Sequence, residues 1–154
     1  MIDFARTFHT GIRVPDIHAA MAELSDRLGV TWAALQERDQ AVWTPETGLV
    51  TTPLKFTYSC EGPVHLELLQ GQPGTYWYGA DAPGPHHIGV WVDDVKATTD
   101  AAVAAGWTLL SAGAPPEQGY GAFTYVRSPQ GIIVEPVWSA VIPAFERWWA
   151  GGSL

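Results

Sequence analysis

The sequence predicts an α+β fold built from two βαβββ modules, and three observations carry that reading. First, the chain repeats itself. Phe8-His9-Thr10-Gly11-Ile12-Arg13-Val14-Pro15-Asp16-Ile17 matches His86-His87-Ile88-Gly89-Val90-Trp91-Val92-Asp93-Asp94-Val95, with His9 and His87, like Asp16 and Asp94, 78 positions apart. Second, each copy alternates apolar and variable residues as a strand does, then reaches an Asp that opens a helix. Third, each helix is followed by three shorter β-like runs.

In the first module, Asp16 is an N-cap because its carboxylate can accept from free amides in the first helical turn. Ile17, Ala20, Met21, Leu24 and Leu28 then form an apolar stripe at helical spacing, and Gly29 suits the left-handed stop. The strands expected next are Trp32–Leu35 with Ala41–Trp43, then Leu54–Tyr58, then Val64–Leu69, with Glu61-Gly62-Pro63 turning before the last. In the second module Asp94 caps, Val95, Ala102 and Val103 are the apolar positions, and Gly106 stops the helix. Its strands are expected at Trp107–Leu110, Ala122–Val126 and Ile132–Val137, the last two joined by the turn Ser128-Pro129-Gln130-Gly131. The expected organisation is therefore a first module over 1–70, a Gly/Pro-rich linker over 71–85, a second module over 86–138 and a C-terminal helix and tail over 139–154. Phe145, Trp148 and Trp149 fall on one side of that helix.

Composition narrows the function. With 154 residues, 47% hydrophobic and 16% charged, the chain can bury an ordinary core. Its net charge of −8 disfavours nucleic acid or an anionic membrane as partner, since both need basic patches. Cys60, the only cysteine, can form neither an intrachain disulfide nor a cysteine-rich zinc site, and reads as a small apolar residue. No secretory signal or long apolar span is seen, so a cytoplasmic location is expected. Eight tryptophans exceed ordinary core needs, which suggests an aromatic-lined pocket or interface.

Four polar residues interrupt the apolar strands at corresponding places. His9 and His87 stand in the first strand of each module, and Glu67 and Glu135 in the last, inside Val64-His65-Leu66-Glu67-Leu68-Leu69 and Ile132-Ile133-Val134-Glu135-Pro136-Val137. A carboxylate among aliphatic neighbours is costly to bury unless paired, protonated or bound to a cation. One such His is usually a satisfied strand residue, and one such Glu a solvated face. Their recurrence in both modules instead points to one divalent ion, Zn, Ni, Co, Mn or Fe(II), held by two imidazoles and two carboxylates.

These segments resemble the vicinal oxygen chelate superfamily, which includes glyoxalase I, methylmalonyl-CoA epimerase, extradiol dioxygenases and bleomycin-resistance proteins. The resemblance covers nearly the whole chain up to Val137. It implies a glyoxalase-like fold whose curved mixed sheets enclose a cleft. It also implies metal ligands at His9, Glu67, His87 and Glu135, the pattern of isomerase and lyase members. The modules of such proteins pair within one chain or across a dimer, and a homodimer is expected here. The first module is longer between its His and Glu, and Asp39–Pro53 is the place for the extra length, as a lid or more simply a long hairpin.

The expected activity is proton movement next to a carbonyl, as isomerase, epimerase or lyase, through an enolate stabilised by the ion acting as a Lewis acid. The substrate would be a small molecule with adjacent oxygens. Glu67 and Glu135 are the candidate catalytic bases. Arg13 shares a strand face with His9 and Gly11 and could hold a substrate carboxylate or phosphate, or else form an ion pair. Trp91, at the corresponding place in the second module, and Tyr120 and Tyr125 are further candidates for substrate contact. His65 reads as a satisfied strand residue more than a partner of Glu67, and His86 as structural. The alternatives are an extradiol-type dioxygenase and a metal-free aromatic groove for a drug or natural product.

Overall fold

The computed structural model describes all 154 residues. Its elements follow the predicted order: β1 (Thr7–Arg13), α1 (Ile17–Leu28), β2 (Gln36–Thr44), β3 (Gly48–Tyr58), β4 (His65–Gly71), β5 (Gly84–Val92), α2 (Val95–Ala104), β6 (Thr108–Ala112), β7 (Thr124–Arg127), β8 (Ile133–Trp138) and α3 (Ile142–Trp149). This is the α+β arrangement of two βαβββ modules. The strands run in the order β1-β4-β3-β2 in the first module and β6-β7-β8-β5 in the second. In each module the first and last strands pair in parallel, β1 with β4 and β5 with β8, and the remaining pairs are antiparallel. That pairing sets His9 against His65 in register and Gly11 against Glu67; in the second module it sets Gly89 against Glu135.

Contacts divide the chain into two compact units. One comprises His9–Gln40, Thr52–His86 and Val141–Leu154; the other comprises Met1–Phe8, Ala41–Thr51 and His87–Ala140. In the unit containing α1, the Asp16 carboxylate accepts from the Ala19 amide, and Gly29 at φ 69° closes the helix in the left-handed region. Ile17 is fully buried, and Ala20, Met21 and Leu24 pack with it against Val14, Ile12 and Leu68. Ile12, Val14 and Leu68 therefore face the helix. By the two-residue period of a strand, His9, Gly11, Arg13, His65, Glu67 and Leu69 face away from it.

In the unit containing α2, Asp94 caps by accepting from Ala97. The helix ends at Ala104, two residues before the expected glycine, with Ala105 as the cap and Gly106 following at φ 89°. Val90, Val126 and Val134 form a core with Ile88, Ala102, Trp107 and Leu109 on the helix side, so His87, Gly89, Trp91 and Glu135 face the other way.

One expectation is corrected. Trp32–Leu35 is not a strand: Trp32 makes a single bridge to Ser59, and its indole N–H donates to the Met21 carbonyl (3.1 Å) and the Ser25 hydroxyl (3.0 Å). The indole thus fastens this segment to α1 rather than to a ladder. The strand starts instead in the polar stretch Gln36-Glu37-Arg38-Asp39-Gln40, where Glu37 pairs with Lys55 of β3 at 3.1 Å, and continues through the expected Ala41–Trp43. The extra length near Asp39–Pro53 is a hairpin between β2 and β3, turned at Thr44–Gly48, where the Thr47 amide donates to the Thr44 hydroxyl.

Candidate metal centre

His9 and Glu67 occupy neighbouring parallel strands on the face away from α1. His9 is fully buried and Glu67 is 5% exposed. Their nearest atoms, His9 Nε2 and Glu67 Oε2, are 3.3 Å apart. Tyr58, opposite Glu67 on β3, meets the His9 ring edge-on with centroids 5.2 Å apart. His65 stands two residues before Glu67 on the same face. Its Nδ1 contacts the Ser59 carbonyl at 2.7 Å and its ring stacks on Trp149 at 3.8 Å. Burial pushes the His65 pKa below the usual imidazole value, so the ring is held neutral.

The second module repeats the pair. His87 is 3% exposed and Glu135 6%, and His87 Nε2 lies 3.3 Å from Glu135 Oε2. Tyr125 meets the His87 ring edge-on at 4.9 Å, which is the role Tyr58 has beside His9.

All four residues are buried, and each offers a ligand atom within 4.8 Å of those of the other three. The spacing within each pair is informative. A charge-assisted hydrogen bond between imidazolium and carboxylate would be about 2.7–2.9 Å long. Two donors held about 2.1 Å from one ion lie about 3.0–3.4 Å apart in octahedral or tetrahedral geometry. The observed 3.3 Å matches the second case in both modules. A buried set of two imidazoles and two carboxylates suits one divalent metal ion, and the residues present fit such a group.

A family model described as the glyoxalase/bleomycin resistance protein/dioxygenase superfamily matches residues 8–125. The chain belongs to this superfamily. One relative, the ethylmalonyl-CoA/methylmalonyl-CoA epimerase of Cereibacter sphaeroides, is 30% identical over 135 residues, covering 84% of this chain and 95% of the relative. Among solved structures, a hypothetical protein from Bacillus halodurans superposes with a TM-score of 0.62 at 18% identity, covering 86% of this chain and 93% of the other. A variant of the methylmalonyl-CoA epimerase of Streptomyces coelicolor, in complex with 2-nitronate-propionyl-CoA, gives 0.56 at 21% identity over 89% and 96% of the two chains. These superpositions establish the glyoxalase-like fold.

The other candidates separate. Arg13 lies on the His9 face, and no carboxylate pairs with it; its buried Nε has no hydrogen-bond acceptor. Tyr125 lies beside His87. Trp91 shares the His87 face, but its ring is stacked flat on Phe8 at 3.5 Å. Tyr120 sits elsewhere. Its hydroxyl donates to Asp100 of α2 at 3.0 Å, and its ring packs with Val92, Val95 and Ala112. The reason is chain geometry: Tyr120 takes a left-handed φ of 68° in the Gly-rich turn, which sends its side chain to the helix side.

Sequence reasoning missed two contributors to the His9 face. Arg38 of β2 reaches over the Phe56 ring, its guanidinium carbon 4.8 Å from the centroid. Helix α3 lays Phe145, Trp148 and Trp149 against Tyr58, with Trp148 also against Phe56. The one-sided aromatics of α3 were visible in the sequence, but their destination was not.

Proposed function

We propose that this chain is a divalent-metal-dependent enzyme that moves a proton next to a carbonyl, as an epimerase, isomerase or lyase. The observation that carries the reading is the buried cluster of His9, Glu67, His87 and Glu135, with paired donors at ligand spacing. When bound, the ion supplies Lewis acidity toward a substrate oxygen, which favours loss of the adjacent C–H proton.

The chain's own residues do the rest. His9 and His87 would hold the ion, each with its Nε2 turned toward the carboxylate of its pair. Glu67 and Glu135 share that task and take or return the proton. Tyr58 and Tyr125 press edge-on against the two imidazoles and fix their planes. Arg13 is the candidate for binding an acidic group of the substrate, and Trp91 and Tyr125 for contact with its apolar part. The Cereibacter sphaeroides relative, named an ethylmalonyl-CoA/methylmalonyl-CoA epimerase, makes acyl-CoA thioesters the first substrates to test.

The test combines metal analysis and proton exchange. Protein prepared without chelator should carry about one divalent ion per chain, and His9→Ala should carry much less. Metal-loaded protein should exchange the α-proton of methylmalonyl-CoA, or of another thioester, with deuterium from solvent. Glu135→Gln should keep its circular dichroism and lose the exchange by at least about 100-fold. Wild-type protein without stoichiometric metal, or undiminished exchange in Glu135→Gln, overturns the reading.

A further inference from the structure

We infer that helix α3 walls off the His9 side of the metal centre, with Trp149 and Phe145 as specificity-determining residues, so that a substrate can be bulky at one end only. The inference rests on the proposed metal-dependent reaction, and one arm of its test needs no metal. On the sheet face that carries His9 and Glu67, two side chains flank His9. His65 is its register partner on β4, one strand spacing or about 4.8 Å away. Tyr58 of β3 meets its ring edge-on, with centroids 5.2 Å apart. Helix α3 covers both. Trp149 stacks on the His65 ring at 3.8 Å with the planes 20° apart, and Phe145 meets Tyr58 edge-on at 5.6 Å. Phe145 and Trp149 also meet each other edge-on at 5.6 Å, so they form one aromatic block.

The block is fixed in place. Trp148 is fully buried, donates its indole N–H to the Ala34 carbonyl at 2.9 Å, and meets Phe56 and Tyr58 edge-on. Phe145 and Trp149 are half-buried, so each covers the sheet with part of its ring and shows the rest to solvent. The second module is built differently. Two places before Glu135 stands Ile133, which is half-buried, whereas His65, two places before Glu67, is 6% exposed. The asymmetry follows from the element order: β8 leads into α3, whereas β4 leads to β5 with no helix between them.

A chelating substrate turns this wall into a selectivity rule. A molecule that offers two adjacent oxygens to one ion has its two ends on opposite sides of that oxygen pair. The end that runs past His9 meets rings already packed on the sheet, and a further ring there would have to displace Trp149 or Phe145. Such exclusion selects by steric clash and needs no contact with the favoured substrate. The accepted class is a small acyl or alkyl group on one side of the oxygens and a long or bulky group on the other. A short-chain acyl thioester meets that rule.

The first arm of the test titrates full-length, zinc-loaded protein with hydroxamic acids, which bind a metal through two adjacent oxygens. Benzohydroxamic acid carries a ring at one end, and N-phenylbenzohydroxamic acid carries one at each. Calorimetry on wild type should show the first binding at least about tenfold tighter. Trp149→Ala and Phe145→Ala should bring the two affinities within about threefold by making room for the second ring, with zinc content unchanged. Trp138→Ala removes an exposed ring of the same size and should keep the wild-type ratio. Equal affinities in wild type overturn the inference, as does a wild-type ratio in both zinc-carrying alanine variants of α3.

The second arm uses chelator-treated protein and diethylpyrocarbonate, which acylates an imidazole nitrogen. The Ser59 carbonyl can only accept, so His65 Nδ1 carries the hydrogen and Nε2 the reactive lone pair. Peptide mass mapping should show His65 labelled at least about tenfold faster in Trp149→Ala than in wild type, because the stacked ring that shields it is gone. Equal rates overturn the wall whatever the metal does. Protein that takes up no zinc fails the metal-centre reading alone, and the labelling of His65 still decides the wall.

Discussion

Asp93 shows how one exposed carboxylate ties several segments together. It accepts from Arg6 at 2.8 Å and from the Ser139 hydroxyl at 2.7 Å, joining the short helical turn at Phe4–Arg6, the end of β5 and the turn after β8. The Arg6 hydrogen bond, followed by that of Ser139, lowers its pKa from 3.8 to about 2. A folded pKa below the unfolded one means that the stabilisation is complete above about pH 4 and is lost as pH falls toward 2. Asp93→Asn should therefore melt below wild type near neutral pH. The difference should vanish by pH 2, and melting curves across that range check it. A gap that persists at pH 2 would mean that the contacts act by packing rather than charge. Gly71 makes a different residue-scale point: a Cβ there would come within 2.8 Å of the Trp77 backbone carbonyl carbon and 2.6 Å of the Thr75 hydroxyl. The loop after β4 can lie against its strand only because that side chain is missing. Gly71→Ala should lower the melting temperature by several degrees, at a cost of about 1–3 kcal/mol typical of overpacking.

At the scale of elements, the starts of the two repeat helices were legible, whereas Leu28 and Val103, expected on the apolar stripes, lie exposed. Asp16 and Asp94 each place a carboxylate where a first-turn amide needs an acceptor, and both make the bond. Only the Ala41–Trp43 end of β2 was legible, because Gln36-Glu37-Arg38-Asp39-Gln40 has no apolar alternation to show a period. Backbone pairing and cross-strand pairs such as Glu37–Lys55 hold it, and those depend on a partner distant in sequence. Helix α3 was visible as an amphipathic segment, but only the structure shows where it docks. Trp148 is fully buried, donates its indole N–H to the Ala34 carbonyl at 2.9 Å, and sits edge-on to Phe56 and Tyr58. Trp148→Ala should destabilise the protein by about 3–5 kcal/mol, read by denaturant unfolding. Trp148→Phe should recover much of that and miss only the hydrogen bond. Near-wild-type stability in the alanine variant would mean that α3 is not held by this ring.

For the molecule as a whole, the candidate site was legible because duplication repeats its chemistry. His9 with Glu67, and His87 with Glu135, are unremarkable singly and informative as a matched set. Residues without that symmetry were harder to place: Tyr120 turned to the helix side, and Arg38 lay in a stretch with no pattern. Since the unfolded chain cannot gather these four donors, an ion bound only by the native state should stabilise it. At 100 times its dissociation constant the gain is about 2.7 kcal/mol. Adding a divalent ion to chelator-treated protein should raise the melting temperature of wild type, and leave that of His9→Ala nearly unmoved.

The docking of α3 has a consequence for how the chain is made. A ribosome finishes β1, β3 and β4 long before it reaches Trp148, whose bond to Ala34 spans 114 residues. Until then Phe56 and Tyr58 lack their aromatic cover, and a fragment ending at residue 85 would keep them bare permanently. Such a half-protein should be sticky in isolation, even though it holds a complete βαβββ repeat.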